Sequence, residues 1–360
     1  ASTPNSEGAP LAVIVNLSEV IGESGPAVET RTAIAGQRTT SSARISAIDL
    51  EAVPMRTAED ALRIVPGVVL VQHGSEGKGH QFFLRGFDAI HGADLEVTLE
   101  GIPVNEWSNI HAQGYLDLGF IIPELISEVE VIKGPQATLF GTASAVGAIS
   151  LVSAKPKPGF SGALTGGYGN YDATLLSGYV NAGSDVLAGR VAFEWRTRDG
   201  YVENLAASQE EELYAKDQLG VRGSLRFTPS PFVTIDLVGT YDQQRNGGTP
   251  FISGTFPAFA GAPGGAANAF EDANLGGSPY SAAALGDDQL GLNREVYDVN
   301  LTAAIELSDS LTFTTANGYR EFDSAEVFDA DGSVAPFLEF AEIATGHQFS
   351  PEGRFTYVDP

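Results

Sequence analysis

From residue 185 onward the chain alternates. In DVLAGRVAFEWRTR (185–198), Leu187, Gly189, Val191, Phe193 and Trp195 fall on one face, and Arg190, Glu194, Arg196 and Arg198 on the other. That is the period of two of a β-strand. The pattern returns with Leu219, Val221, Leu225 and Phe227 against Arg222, Ser224, Arg226 and Thr228. It returns again at 232–243, with Val233, Ile235, Leu237 and Tyr241 against Thr234, Asp236, Thr240 and Asp242. At 295–307, Tyr297, Val299, Leu301, Ile305 and Leu307 oppose Asp298, Asn300, Thr302 and Glu306, and 311–320 and 342–357 are weaker versions. The stretch 160–360 thus predicts about eight strands.

A soluble sandwich alternates too, with its polar face toward water. Connection lengths separate the two architectures. AGSD (182–185), PSP (229–231) and SDS (308–310) are tight turns, whereas 199–214 and 246–292 are long, and from the third strand onward short and long connections take turns. Long strands with short turns at one rim and long loops at the other predict an antiparallel transmembrane β-barrel. Tyr168, Tyr171, Tyr201 and Tyr319, near strand ends, are candidate interfacial girdle residues. An eight-stranded barrel has room only for its own side chains. Apolar-rich sequence precedes this one, so either that first region sits outside or the barrel continues beyond residue 360 in a longer parent chain.

The first half reads as short mixed elements. TAEDALRIVP (57–66) predicts a helix capped by Thr57, with Asp60 at the third helical position of a capping box and Pro66 as the stop. Apolar strands are expected at 68–71, 82–84 and 95–99, a helix-compatible segment at 121–127, and a strand and turn at VEVIKGP, 129–135. Together these make a small α+β domain.

Composition narrows the function classes. With 43% apolar residues the chain has ample material for burial, and 20 Lys+Arg against 46 Asp+Glu give a net charge of -26, which repels a phosphate backbone and speaks against nucleic-acid partners. The absence of cysteine removes disulfides, zinc-thiolate sites and thiol catalysis. No run of 18 apolar residues provides a membrane-crossing helix, which leaves barrels open. The chain starts at Ala1 without a leader pattern, which suits a mature product after signal cleavage and equally a trimmed chain.

One stretch imitates a nucleotide cradle, VVLVQHGSEGKGHQFFLRGF (68–87). A P-loop ending at Gly77-Lys78 requires glycine at 72 and a hydroxyl at 79, where Gln72 and Gly79 stand. A dinucleotide loop on Gly77 and Gly79 requires a small residue at 82, where Phe82 stands. Both templates fail, no nucleophile elbow of the G-x-S-x-G kind accompanies any Ser-His-Asp combination, and no cofactor is expected.

Four strings in series, ALRIVPGV, FLRGFD, VTLEGIPVN and ISEVEVIKGPQATLFGTASAVGAISLVSAKP, resemble the plug of TonB-dependent outer-membrane receptors. GGYGNYDATLLSGYVNAGSDVLAGRVAFEWRTRDGYVENL resembles the first barrel strands of the same family. The resemblance implies an N-terminal extension at 1–44, an α+β plug domain at 45–156 and the N-terminal part of an outer-membrane β-barrel at 157–360, with plug and N-terminus toward the periplasm. It further implies an energy-coupled receptor, not an enzyme, importing a scarce nutrient. An iron chelate (siderophore) leads, with oligosaccharide or cobalamin as family alternatives, and a passive channel or surface-binding structural protein as the reading from another class. The implied partners are outer-membrane lipid, the small-molecule nutrient and a TonB-type inner-membrane protein. The last would pull a short N-terminal box by strand pairing, for which LAVIVNL (11–17) and PAVETRTA (26–33) are the two segments available.

Carried over residue by residue, the resemblance places Arg85 of FFLRGF and Lys133 before Gly134-Pro135 in a salt-bridge network between plug and barrel wall. Lysine at 133 keeps the charge but lacks the bidentate fork of arginine. Glu352 falls on the lumenal side of the last strand if Phe355 and Tyr357 face lipid, and is the expected acidic partner. His73, His80, His91 and His111 cluster in sequence, but no pair has HxxxH spacing, so no metal site is assigned. The resemblance makes the apical plug loops the ligand contact, with His73, Lys78, His91, Glu106, Trp107, Asn109 and His111 as the candidate set.

Overall fold

The computed structural model describes residues 41–46, 49–50, 55, 57–71, 81–89, 94–106, 115–123, 126–135, 144–206, 212–252, 273–276, 278–334 and 337–358. In the first part follow β1 (Ser41–Ser46), helix α1 (Asp60–Arg63), β2 (Val68–Val71), β3 (Gln81–Leu84), β4 (Phe87–Ala89) and β5 (Leu95–Leu99). After them come β6 (Ile102–Pro103), β7 (Asn105–Glu106), β8 (Tyr115–Leu116), β9 (Ile126–Lys133) and β10 (Gly147–Ser153). Five of the strands form one sheet in the order β1-β9-β10-β5-β6, in which only the β10–β5 pair is parallel.

Alternate residues of β5, β9 and β10 supply the core: Val97, Leu99, Val129, Val131, Ile149 and Leu151 pack with Leu62, Phe82 and Leu84 from α1 and β3. The helix expected over 57–66 shrinks to one turn, because Val65 and Val68 must already turn into the core and the β2–β3 pair. Half of the expected capping box forms, the backbone N–H of Thr57 donating to the Asp60 carboxylate at 3.3 Å. The helix-compatible reading of 121–127 gives way at its end, where Ile126 pairs with Ser153 in the sheet and is buried. The boundary expected at 44/45 falls inside β1.

The second part is a meander. Strands β11 (Gly159–Tyr168), β12 (Thr174–Gly183) and β13 (Leu187–Arg198) lead to the small hairpin β14 (Val202–Glu203) and β15 (Glu212–Leu213). Then come β16 (Lys216–Ser230), β17 (Val233–Gly247), helix α2 (Ser281–Ala284), β18 (Gly291–Ser308), β19 (Leu311–Asp329) and β20 (Glu339–Tyr357). The eight long strands pair antiparallel in chain order, β11-β12-β13-β16-β17-β18-β19-β20, and the sheet does not close, since β11 and β20 are each paired on one side only among the described residues. Tight turns join β12 to β13, β16 to β17 and β18 to β19 at one rim; long connections leave the other. At the long-loop rim a satellite cluster of Leu213, Ala273, Leu275, Leu290 and Val327 packs the loop bases, and the Asn204 side chain ties Leu275 from both sides.

The two faces are inverted relative to a soluble protein. Apolar Val191, Val299 and Phe349 are 57%, 48% and 65% exposed, whereas Arg294 and Asp242 on the opposite face are 2% and 0% exposed. A wall whose apolar side faces outward and whose polar side is buried fits a hydrocarbon surround. On β19 and β20 two outward aromatic positions recur six residues apart, Phe313 with Tyr319 and Phe355 with Phe349, about 20 Å along a strand. That separation approaches the apolar band of about 25 Å seen in outer-membrane barrels. Tyr319 sits in the upper row, stacked 6.5 Å from His347, while Tyr168, Tyr171 and Tyr201 lie at the long-loop rim, where Tyr171 and Tyr201 approach to 5.6 Å.

The first part fills the concave side of this wall, and glycine makes the approach possible. A methyl on Gly318 of β19 would stand 2.3 Å from Ile102 of the plug-side hairpin, and one on Gly220 of β16 would stand 2.6 Å from Ile122. Gly318→Val is therefore expected to lower the stability of the assembled protein by about 1–3 kcal/mol through overpacking. The measurement is the urea midpoint of the purified protein, and an unchanged midpoint would show that the β5–β6 turn shifts freely.

Candidate functional site

The polar face of the wall meets the first domain through three arginines on lumenal positions of β16, β18 and β19. Arg222 of β16 stands opposite Thr240 of β17 and donates to its hydroxyl at 3.0 Å. Its other nitrogen reaches Ser153 Oγ at 3.0 Å and Glu100 Oε1 at 3.4 Å. Glu100 is delivered there by the tight β5–β6 turn, in which Glu100 and Gly101 take positive φ of 58° and 80°. Its buried carboxylate also accepts from the backbone N–H of Ser153 at 2.8 Å and pairs with the Lys155 ammonium. The sequence LEGIP carries the reason, since glycine after Glu100 tolerates the left-handed backbone that reverses the strand.

Arg294 of β18 is the centre of the second node. Its two terminal nitrogens divide between Asp117 of the first domain, at 2.5 Å, and Asp242 of β17, at 2.7 Å. All three side chains are almost wholly buried. Gln218 donates both to Asp242, at 2.9 Å, and to the Gly119 carbonyl, at 2.7 Å; Gln244 adds a second donor to the same carbonyl at 2.9 Å. Asp117 in turn accepts from the Gly119 N–H at 2.8 Å, so the YLDLGF segment is held as a turn whose carboxylate and carbonyl both point at the wall.

Arg320 of β19 makes the third node. It lies opposite Asp298 and pairs with it at 3.2 Å, donates to the Val104 carbonyl at 2.9 Å, and carries its guanidinium 4.5 Å over the Phe120 ring. Each cation thus meets both a carboxylate and further acceptors, the condition under which buried charge is tolerated. Removing one member of such a node leaves its partner charged and dry.

The residues expected from the sequence to form this network sit elsewhere. Arg85 occupies the exposed β3–β4 turn at φ 53° and forms no ion pair among the described residues. Lys133 donates to the Pro66 carbonyl inside its own domain. Glu352 shares the lumenal parity assigned to it but pairs with Arg354 on its own strand, both about half exposed. Ion pairs that cross the boundary include Glu100 with Arg222 and Asp117 with Arg294, and also Lys155 with Asp236 of β17 at 3.8 Å. In the first two pairs the acid is on the plug and the arginine on the wall, the reverse of the expected polarity, whereas Lys155–Asp236 has the expected one. Of the candidate ligand contacts, His73, Lys78, His91, Trp107, Asn109 and His111 lie outside the described residues, as do both N-terminal segments 11–17 and 26–33. Glu106 falls in β7.

A polar α+β domain seated against the inner face of a lipid-facing strand wall is a plugged barrel in the making. The family model of the TonB-dependent Receptor Plug Domain matches residues 35–148. The fold superposes on the ferric yersiniabactin uptake receptor FyuA from Yersinia pestis with a TM-score of 0.67 at 16% identity, covering 90% of this chain and 46% of that one. Residues 35–148 are a TonB-dependent receptor plug domain, and the strands after them share the fold of part of such a receptor's barrel. The chain's sequence is 29% identical over 187 residues to the vitamin B12 transporter BtuB of Vibrio vulnificus (strain YJ016), which is 51% of this chain and 28% of the relative. The siderophore receptor PiuA from Acinetobacter baumannii gives a TM-score of 0.62 at 19% identity over 88% of this chain and 42% of that one. The chain spans less than half the length of each of these relatives. TonB-dependent receptors are transport receptors and not enzymes.

The Arg294 node lends itself to a direct test. Arg294→Ala strands Asp117 and Asp242 and is expected to cost about 3–5 kcal/mol, seen as a lower urea midpoint and faster proteolysis of the plug. Combining Arg294→Met with Asp117→Leu and Asp242→Leu removes all three charges together and should recover most of the loss. No recovery would mean that the node acts through packing alone.

Proposed function

We propose that this chain forms the plug and first strands of an energy-coupled outer-membrane receptor that imports a scarce nutrient, with an iron chelate as the ligand class. The observation that carries the reading is chemical. The plug is held by ion pairs and hydrogen bonds at Arg222, Arg294 and Arg320, beside limited apolar contacts such as Ile122 with Ala192 and Val296 with the plug core. Polar contacts can be exchanged for water when a plug shifts, whereas a buried apolar face would resist exposure at about 25 cal/mol per Å². The siderophore receptors FyuA and PiuA, which share the fold, favour the iron chelate; the sequence likeness to BtuB keeps cobalamin as the second reading.

In this proposal the plug and N-terminus face the periplasm, and a TonB-type inner-membrane protein pairs with a strand from 11–17 or 26–33. His73, Lys78, His91, Glu106, Trp107, Asn109 and His111 serve as ligand contacts on the apical loops. Deleting 11–33 from the complete receptor should abolish uptake of a radiolabelled ferric chelate while leaving its binding to cells unchanged. Uptake that survives both this deletion and collapse of the inner-membrane potential would replace the energised receptor with a passive channel.

A further inference from the structure

At the long-loop ends of β19 and β20 two carboxylates oppose each other. Asp329 closes β19 and stands directly across from Glu339, the first residue of β20. Side chains opposite one another in an antiparallel pair share a face, with Cβ atoms about 4.5–5.5 Å apart, and like charges there repel. Asp329 is 0% exposed, and its Oδ2 is buried without a hydrogen-bond partner among the described residues. The rung lies ten residues beyond Tyr319 of the upper aromatic row, outside the apolar band. Burial, and after it the like charges of Asp331 and Glu339, push the Asp329 carboxyl up to about 7. The two segments that build this corner, 246–293 and 321–353, contain no lysine or arginine.

The neighbouring acid is already occupied. Asp331 accepts at Oδ1 from the N–H and hydroxyl of Ser333, at 2.9 Å and 2.5 Å, and at Oδ2 from the N–H groups of Phe337 and Leu338, at 3.0 Å and 2.9 Å. Its own N–H donates to Asp329 Oδ1 at 3.1 Å, which leaves Oδ2 of Asp329 unanswered. Further oxygens arrive from the β17–β18 connection. Helix α2 packs on the ends of β19 and β20, and its buried residue, Ser281, is 0% exposed with an Oγ that has no partner among the described residues. Ser278, whose carbonyl accepts from the Ser281 N–H at 3.2 Å, gives its hydroxyl to Glu339. The Gly276 N–H donates to the Ser333 carbonyl at 3.4 Å, so the two connections are in contact. Buried polar atoms are nearly always paired, with protein, water or an ion. A water would leave two like charges opposed, whereas a divalent cation cancels them. Carboxylates and hydroxyls, with no nitrogen or sulfur among them, are the hard oxygen donors that calcium takes. Among the described residues no three His, Asp or Glu side chains gather as a metal site, so a cation here rests on two carboxylates completed by hydroxyls and water.

We propose that Asp329 and Glu339, with the hydroxyls of Ser278 and Ser281, form a divalent-cation site suited to calcium, whose occupancy ties the β17–β18 connection to the β19–β20 turn. The site lies apart from the plug and does not depend on the transport reading. The probe is calcium chloride, titrated calorimetrically into the complete purified receptor after chelator treatment, in mildly alkaline buffer where Asp329 is ionised. Thermal unfolding is followed in parallel. Saturable binding should raise the unfolding temperature. Asp329→Asn and Glu339→Gln, tested separately, should each weaken calcium affinity at least tenfold. Each should also raise the unfolding temperature of the chelator-treated receptor, because one of two opposed charges is gone, whereas a variant that lost binding through misfolding would lower it. Should one variant fail to fold, the other still provides both readouts. Absence of saturable calcium binding, or binding that both variants retain at full affinity, overturns the proposal. Neither result bears on whether the receptor is energised.

Discussion

A guanidinium buried between two carboxylates organises the assembly. Arg294 cannot shed its charge, so its burial requires Asp117 and Asp242, and each of those requires donors of its own from Gly119, Gln218 and the arginine. The consequence is positional. Asp117 belongs to the plug, Asp242 and Arg294 to neighbouring strands, and satisfying all three sets the depth at which the plug sits along β17 and β18. The Arg222 and Arg320 nodes repeat the constraint at other points of the wall, which prevents rotation about the first. Such triads are weak sources of net stability compared with apolar packing, and their value here lies in specifying one seating while keeping the interface compatible with water.

That interface is made possible by a division of labour between the faces of the strands. The outward positions carry the apolar surface that lipid requires, so the lumenal positions are freed from building a conventional core and can hold Gln218, Arg222, Asp242 and Gln244 in close array. The plug has an apolar core between its sheet, α1 and β3, which Val296 of β18 joins from the wall. Two kinds of packing therefore coexist within a short distance: a dry plug interior and a hydrogen-bonded seam around it. Gly220 and Gly318 mark where the seam becomes tight enough to exclude even a methyl group.

Toward the long-loop rim the seam changes character. The wall cations Arg196, Arg198 and Lys216 there meet a plug that offers both Glu59 and Arg63, and the interface opens into a cavity. The same strand, β13, passes from the covered Ala192 to the cavity-lining Arg196 and Arg198 within six residues.

Much of the architecture was legible along the chain because it depends on local periodicity. The alternation at 187–198, 219–228, 233–242 and 297–307 states which residues share a face, and the tight turns and long loops state how the strands connect. Glu352 was likewise placed on its face by parity alone. The partners on those faces were not legible. Arg222 was visible as a polar-face residue, yet nothing near it points to Glu100, 122 positions away, and Asp117 lies 177 positions from Arg294. Arg85 and Lys133 drew attention through the strings around them, but backbone geometry turns Arg85 outward at a positive φ, and Lys133 is spent on the Pro66 carbonyl. A strand's own sequence determines its faces, since successive side chains must point to opposite sides. Which buried charge answers which is decided only when the plug is seated, because the Coulomb and desolvation terms depend on distances that only the tertiary structure sets.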